Sequence, residues 1–250
     1  MTSTKVAIIT GASRGIGAAT AQVLAAQGFA VCVNYLNNQK AADSVVKAIE
    51  DIGGKAIALQ ADVSEEAQVI DLFDTVDKQL GTLFALVNNA GILHTQMRVD
   101  NMDATRLNKI FTTNITSCFL CAKAAVKRMS TKYGGVGGAI VNVSSAAARI
   151  GSAGEYVDYA ASKGAIDTLT VGLAKEVAEE GIRVNAVRPG FITTDIHSMG
   201  GEPDRINRVK SSIPMKRGGD PKEVANAIVW LLSEQASYVT GARIDVAGGR

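Results

Sequence analysis

Tyr159-Ala160-Ala161-Ser162-Lys163 sets a phenol and an ammonium four residues apart in a stretch with helical spacing, so both project from one face. A phenol alone titrates at about pH 10 and is a poor proton carrier at neutral pH. An ammonium beside it favours the phenolate, which makes such a pair a candidate general acid and base. The rival phenol is Tyr156, but its fourth following residue is Ala160 rather than a cation. Upstream, Val141-Asn142-Val143-Ser144-Ser145 ends a strand-like run in two hydroxyls, at the edge where open α/β sheets bind ligands.

A second constellation lies near the N-terminus. Thr10-Gly11-Ala12-Ser13-Arg14-Gly15-Ile16-Gly17 follows an apolar run and opens a helix-like one. In that context glycines let the backbone approach a pyrophosphate, and the helix start offers unpaired N–H groups and a positive dipole end. The spacing is G-x-x-x-G-x-G rather than G-x-G-x-x-G, and taken alone it also fits plain strand-to-helix punctuation. An acid at the end of the second strand would bind the 2′-hydroxyl of NAD. This chain has Val33-Asn34-Tyr35 there, with no carboxylate to repel a 2′-phosphate, and Arg14 offers a guanidinium fork. NADP (NADPH) is the expected cofactor; a merely solvated Arg14 would leave NAD able to bind.

Chemistry spread over so many segments needs a scaffold that gathers them. Val6-Ala7-Ile8-Ile9, Ala30-Val31-Cys32-Val33, Ala56-Ile57-Ala58-Leu59, Phe84-Ala85-Leu86-Val87, Ala139-Ile140-Val141-Asn142-Val143 and Val184-Asn185-Ala186-Val187 are largely continuous apolar runs, as in parallel strands covered on both faces. A seventh strand is expected near 242–245. Between the runs, Ile16, Thr20, Val23 and Leu24, then Val69, Leu72, Phe73, Val76 and Leu80, recur at helical spacing. Repeated βαβ units imply one doubly wound (Rossmann) α/β domain over 1–250, with a seven-stranded parallel sheet and helices on both faces. The segment 193–219, punctuated by Gly200-Gly201, Pro203, Pro214 and Gly218-Gly219, is expected to form a mobile lid over the ligand.

The chain has 250 residues, 26 basic against 24 acidic, for a formal charge of +2. That balance gives no reason to expect a nucleic-acid surface or a polybasic membrane patch. No apolar run approaches a membrane span, and the polar start lacks a signal-peptide core, so a soluble cytoplasmic protein is expected. Cys32, Cys118 and Cys121 form no disulfide framework, and Cys118-Phe119-Leu120-Cys121, with only His94 and His197 in the chain, reads as packing rather than a metal site.

Together the glycine turn, Asn88-Asn89-Ala90-Gly91, Asn114, Ser145, Tyr159 with Lys163, Pro189-Gly190, Tyr238-Val239-Thr240-Gly241 and Val246-Ala247-Gly248-Gly249 resemble the short-chain dehydrogenase/reductase family over nearly the whole chain. The resemblance implies that Tyr159 protonates a carbonyl oxygen, or takes an alcohol proton in reverse. Lys163 would favour its ionisation and bind the nicotinamide ribose, Ser145 would donate to the substrate oxygen, and Asn114 would hold a water linking Lys163 to solvent. Ser145 lies 14 residues before Tyr159, one more than is usual in the family, so an extra residue must be absorbed around 154–158, and Ser144 stays the alternative. Further cofactor contacts implied are Gly11, Ser13, Arg14, Gly15, Ile16, Gly17, Asn34 and Tyr35 around the turn. Asp62 and Val63 would receive the adenine, Asn89, Ala90 and Gly91 would wall its ribose, and Pro189, Gly190, Ile192 and Thr194 would line the nicotinamide. Asp62 has an alternative as a helix cap, and Asn88 is expected to tie strands together.

Many members of the family reduce 3-oxoacyl chains on acyl carrier protein, and Ile213-Pro214-Met215-Lys216-Arg217 looks similar to theirs. Where those proteins carry basic residues near the site mouth, this chain has Glu179-Glu180, which should repel an acidic carrier. The expected substrate is therefore a small ketone, secondary alcohol or sugar, with a 3-oxoacyl carrier as the alternative and a non-catalytic NADP-binding sensor or scaffold as the alternative of another class. Met199, Met215, Ile196 and Phe191 could form an adaptable apolar pocket wall. The resemblance also implies a homotetramer, or a homodimer, through the helices carrying Asn114 and Tyr159; Phe111, Ile115, Phe119, Ala165, Leu169 and Leu173 suit that and suit internal packing equally.

Overall fold

The apolar runs become strands β1 (Val6–Ile9), β2 (Ala30–Tyr35), β3 (Lys55–Gln60), β4 (Leu83–Asn88), β5 (Gly138–Val143), β6 (Ile182–Pro189) and β7 (Arg243–Val246) in the computed structural model, which describes residues 4–250. All pairings are parallel, in the order β3-β2-β1-β4-β5-β6-β7. β1 and β2 are buried along their whole length, whereas the edge strand β7 alternates with exposed positions and β3 is exposed at both ends. Continuous apolar sequence therefore marks the middle of the sheet, where both faces are covered.

The crossovers supply α1 (Gly15–Ala26), α2 (Gln39–Glu50), α3 (Glu66–Gln79), α4 (Ala104–Phe111), α5 (Ser117–Met129), α6 (Ala147–Ile150), α7 (Val157–Val177), α8 (Ile196–Met199), α9 (Arg205–Val209) and α10 (Pro221–Leu232). Side chains alternate across a strand, so Ala7 and Ile9 join one apolar layer and Val6 and Ile8 the other. The first layer takes Ala21 and Leu24 of α1, Val45 and Ile49 of α2, and Val224 and Ile228 of α10. The second takes Leu72 and Phe73 of α3, Cys121 and Ala125 of α5, and Ala174 and Val177 of α7.

Strands β1, β2 and β3 step toward one edge, and β4 then returns to pair with β1 on its other side. At that reversal the connections leave to opposite faces, which opens a crevice beyond the carboxyl ends of β1 and β4. Asn88, at the end of β4, donates to Asn142 Oδ1 of β5 at 2.9 Å, and Asn142 Nδ2 donates to Thr170 Oγ1 of α7 at 2.9 Å. This buried amide ladder ties the crevice floor to α7, the helix that carries Tyr159 and Lys163.

Candidate active site

Polar cross-links hold the crevice at the end of β1. Thr10 Oγ1 accepts from the backbone N–H groups of Asn89 at 3.0 Å and Ala90 at 2.9 Å. Asn89 Nδ2 donates in return to the carbonyls of Thr10 and Gly11, at 2.9 and 3.0 Å. From beneath, Asn34 Oδ1 accepts from the Gly11 N–H at 3.2 Å, and its amide donates to the Ala61 carbonyl at 3.1 Å. Gly11 has φ +60°, and a Cβ there would lie 2.9 Å from Ala90 Cα; one at Gly17 would lie 2.6 Å from Asn89 Nδ2 and 2.8 Å from Ala12 Cα. Any side chain at these two positions would force the turn away from the loop after β4.

A cleft of about 390 Å³ runs over this turn. Every cofactor contact expected from the sequence lines it except Gly17 and Asn34, which lie behind the turn and support it. α1 starts without a side-chain cap at Arg14 and has no acid in its first turn, so its leading N–H groups suit an anion. Tyr35, Leu36, Asn37 and Asn38 line the cleft after β2 with no carboxylate among them. Arg14 reaches across to the segment after β6, with Nη2 2.9 Å from Met199 Sδ and Nη1 3.9 Å from Asp195. Asp62 Oδ1 accepts from the N–H and hydroxyl of Ser64, at 2.9 and 2.6 Å, so it braces the turn into α3 while also lining the cleft. Glycines with no room for a Cβ, an uncapped helix start and an acid-free β2 end fit a dinucleotide.

Tyr159 and Lys163 occupy the first two turns of α7, and Lys163 Nζ lies 5.6 Å from the centre of the Tyr159 ring. Lys163 is 4% exposed, and Nζ donates to the Val143 carbonyl at 2.8 Å. The two serines divide. Ser144 is buried and its hydroxyl donates to the Lys163 carbonyl at 3.2 Å. Ser145 Oγ instead accepts from the Ala147 N–H at 3.1 Å, which leaves its proton to donate into the cleft it lines. Between Ser145 and Tyr159 the chain passes through left-handed Gly151, Ser152 and Gly154, at φ +76°, +48° and +74°, of which the first two lie upstream of the 154–158 stretch.

Asn114 lies in a five-residue π turn, Thr112–Thr116, between α4 and α5 rather than in a regular helix. Its Oδ1 accepts from the Ile92 N–H at 2.8 Å, and Nδ2 donates to the Ile92 carbonyl at 3.0 Å and to Ser162 Oγ at 3.1 Å. The amide nitrogen is thus committed to protein partners, while Oδ1 keeps a second lone pair. A Cβ built on Gly91 would stand 3.4 Å from Asn114 Oδ1 and 3.5 Å from Lys163 Nζ, so both groups border the same narrow gap. Cys118 and Cys121 are buried in α5, and among the described residues no three His, Cys, Asp or Glu side chains gather as a metal site.

A family model described as enoyl-(acyl carrier protein) reductase matches residues 11–250. A short-chain dehydrogenase/reductase of Serratia marcescens superposes with a TM-score of 0.90 at 32% identity, covering 99% of this chain and 98% of that one. The chain belongs to the short-chain dehydrogenase/reductase family. It is 62% identical to the Escherichia coli protein named uncharacterized oxidoreductase YgfF, over 98% of this chain and 99% of that protein. A 3-oxoacyl-[acyl-carrier-protein] reductase of Synechocystis is 41% identical, covering 98% and 96%. Glucose 1-dehydrogenase 2 of Bacillus subtilis is 39% identical, covering 98% and 94%. As a short-chain dehydrogenase/reductase the chain is an oxidoreductase of a family that binds NAD(P).

In this short-chain dehydrogenase/reductase the segment after β6 is closed at its base. The Thr193 N–H donates to the Gly219 carbonyl at 2.9 Å, and the Gly219 N–H to the Phe191 carbonyl at 2.8 Å. Beneath it lies a second cleft of about 360 Å³, which shares Ser145, Tyr159, Pro189, Gly190, Ile196 and His197 with the first. Arg205 of α9 is buried there, bonded to Glu155 and Glu202, with its guanidinium 4.8 Å from the Tyr156 ring centre and 5.3 Å from that of Phe191. Arg208 pairs with the same two carboxylates. Tyr156, the rival phenol, donates to the Gly200 carbonyl at 3.3 Å and so anchors this segment. No motif in the sequence marks the network, because its members meet only once the segment folds back over α7.

The Arg208 hydrogen bond, with a smaller contribution from that of Arg205, holds the Glu202 carboxyl at about 2 against the penalty of its desolvation. A carboxyl lowered from 4.5 to about 2 contributes stability that is fully present above the higher value and is lost as pH falls toward the lower. Amide protection factors over 193–219 are expected to drop within that window, ahead of those in the central strands; equal protection throughout would contradict it.

The structure overturns one premise about the substrate. Glu179 and Glu180 precede β6, at the sheet edge opposite the cleft, roughly 25 Å away along a strand of this length. Glu180 accepts from the Ser130 hydroxyl at 2.5 Å. Beyond two screening lengths in physiological salt, these carboxylates do not guard the cleft mouth of their own chain. Cleft residues not foreseen include Asn37, Asn38, Thr113, Asp195 and His197. Asn38 had a sequence signal as the cap of α2, where Oδ1 accepts from the Ala41 N–H at 3.0 Å.

Proposed function

We propose that this enzyme transfers a hydride between NADP(H) and a small ketone or secondary alcohol, sugars included, with Tyr159 as general acid and base. The observation that carries the reading is the junction of two clefts, where Ser145 and Tyr159 line both the long cleft across the glycine turn and the adjoining compact one. Gly11, Ser13, Gly15 and Ile16 would hold the pyrophosphate end, Asp62 and Val63 the adenine, and Ile192 and Thr194 the nicotinamide end. Bound NADPH supplies the hydride.

The chain's own residues handle the oxygen and its proton. Ser145 donates its free hydroxyl hydrogen to the substrate oxygen, a bond that strengthens as negative charge grows there. Tyr159 delivers the proton to that oxygen during reduction and takes it during oxidation. Lys163, pinned to the Val143 carbonyl, keeps a cation beside the phenol while it gives up its proton. Asn114 fixes the Ile92 backbone and Ser162 on the far side of the same gap, and would there hold a water linking Lys163 to solvent.

Two features support NADP over NAD: the acid-free end of β2 and an Arg14 whose present partners, a thioether and an exposed carboxylate at 3.9 Å, bind it weakly. Arg14→Ala is expected to weaken NADPH binding by about 10–100-fold and leave NADH binding near wild type, as loss of a charge-assisted phosphate contact predicts. Equal losses for both cofactors would remove Arg14 from phosphate recognition. The compact second cleft favours small substrates over a carrier-bound chain; NADPH oxidation with a panel of small ketones and an acetoacetyl thioester tests this, and turnover of the thioester alone would reverse it. We assign the enzyme to the cytoplasm as a homotetramer joined through α4, α5 and α7, whose Phe119 is half exposed; a monomer mass in light scattering would end the assembly reading.

A further inference from the structure

Asp158 directly precedes Tyr159 on α7, and its side chain has no exposed surface. Oδ1 accepts from the Tyr159 N–H at 2.8 Å, and Oδ2 accepts from Arg106 Nε of α4 at 2.7 Å. The Arg106 side chain is only 10% exposed, and its Nη1 donates to the Thr95 carbonyl at 2.9 Å. Its Nη2 is buried without a partner, and Asp158 is its only carboxylate partner among the described residues. Burying such a pair adds little net stability, because desolvating both ions offsets their attraction. Its place in the chain gives it another use.

A tyrosine's amide nitrogen and phenolic oxygen are at most about 8 Å apart, so the Asp158 carboxylate lies within roughly 11 Å of the Tyr159 oxygen. Through a buried path with an effective dielectric constant of about 20, an unbalanced charge at that range moves a phenol's titration by about one pH unit. A negative charge opposes ionisation and a positive one favours it. Lys163, with Nζ 5.6 Å from the ring centre, acts in the favourable sense. An unpaired Asp158 would cancel part of that effect, whereas with Arg106 it presents no net charge.

The other groups around this phenol do not depend on the pair. In the compact cleft Glu155 and Arg205 bind one another, Arg250 stacks on Phe191, and burial holds the His197 imidazole below its ordinary value and pushes the Tyr156 phenol up. Arg14, Asp62 and Asp195 line the long cleft, and burial pushes up the Cys118 thiol of α5. On the elements packed against α7, Arg149 of α6 pairs with Asp245, and Arg188 of β6 with Asp167.

We propose that Arg106 is a positioning residue for the proton step: by pinning and neutralising Asp158 at the start of α7, it leaves Lys163 to set how readily Tyr159 ionises. The inference rests on Tyr159 as the proton carrier and adds what tunes it. The protein has five tyrosines, so the Tyr159 titration is read without cofactor as ultraviolet phenolate absorbance, less that of the same protein carrying Tyr159→Phe. Asp158→Asn keeps an acceptor for the Tyr159 N–H and leaves Arg106 unbalanced, so its midpoint is expected about one pH unit below wild type. Arg106→Gln keeps a donor and leaves Asp158 unbalanced. A carboxyl ordinarily titrates about six units below a phenol, so Asp158 stays ionised there and the midpoint is expected about one unit above wild type. The double variant and Arg106→Lys are expected near the wild-type midpoint. A merely structural pair would lower Tm in both single variants and leave their midpoints unmoved. That result, or a shift of both in one direction, overturns the inference and leaves the parent reading standing. Should one single variant not fold, the other and Arg106→Lys decide by the same criteria. Turnover unchanged in Tyr159→Phe would instead remove the proton carrier, and with it this role for Arg106, even where the midpoints shift as expected.

Discussion

Replacing Tyr159 by Phe is expected to lower kcat/KM for ketone reduction by roughly 10²–10⁴-fold, the range lost with a positioned general acid, while NADPH still binds. The ring and its packing beside Lys163 are kept, and only the hydroxyl is removed. Both clefts retain their walls, because Ser145, Pro189 and Gly190 line them independently of that oxygen. Steady-state rates from NADPH absorbance and a fluorescence titration of NADPH binding separate the two effects. Turnover equal to wild type would exclude Tyr159 as the proton carrier. Complete absence of turnover in wild type, with NADPH bound, would favour the sensor or scaffold reading instead.

Lys163→Met should also reduce kcat/KM by about 10²-fold or more, with a much smaller effect on stability. Two stability terms oppose one another. Losing the 2.8 Å bond leaves the Val143 carbonyl without its donor, which costs about 1–3 kcal/mol. Removing a buried ammonium in turn recovers its desolvation penalty. The net change should move Tm by no more than a few degrees, at about 2–4 °C per kcal/mol for a chain of this size. A large fall in Tm with kcat/KM unchanged would make Lys163 a structural strut and remove its charge from the chemistry.

Much of the site was legible because the family's groups fall at strand ends. Once Thr10-Gly11, Asn88-Asn89, Ser144-Ser145 and Pro189-Gly190 are recognised as following β1, β4, β5 and β6, a parallel sheet brings them to one edge. Asn34 shows where position along a strand falls short. It stands at the end of β2, as a ribose contact should, yet its amide points inward to Gly11 and Ala61. Asp62 resisted a single assignment because one carboxylate braces a turn and lines a cleft at once. The π turn around Asn114 adds one residue to a helical repeat and leaves no mark in hydrophobic periodicity. Glu179 and Glu180 misled because nearness to a motif in a related protein says nothing about which sheet edge of this chain they occupy.

The order of apolar runs and amphipathic stretches by itself determined the doubly wound architecture, and the i, i+4 phenol and ammonium by themselves marked the helix to which the proton chemistry is assigned in the proposal. Both depend on local periodicity, which a linear sequence records directly. Only the tertiary structure decided which serine has a hydroxyl free to donate, which nitrogen of His197 lacks a partner among the described residues, and how Arg205 and Arg208 clasp Glu155 and Glu202. Each of those outcomes turns on whether a polar atom's bonding capacity is already filled by a residue distant in the chain, and only the folded packing brings those partners into reach.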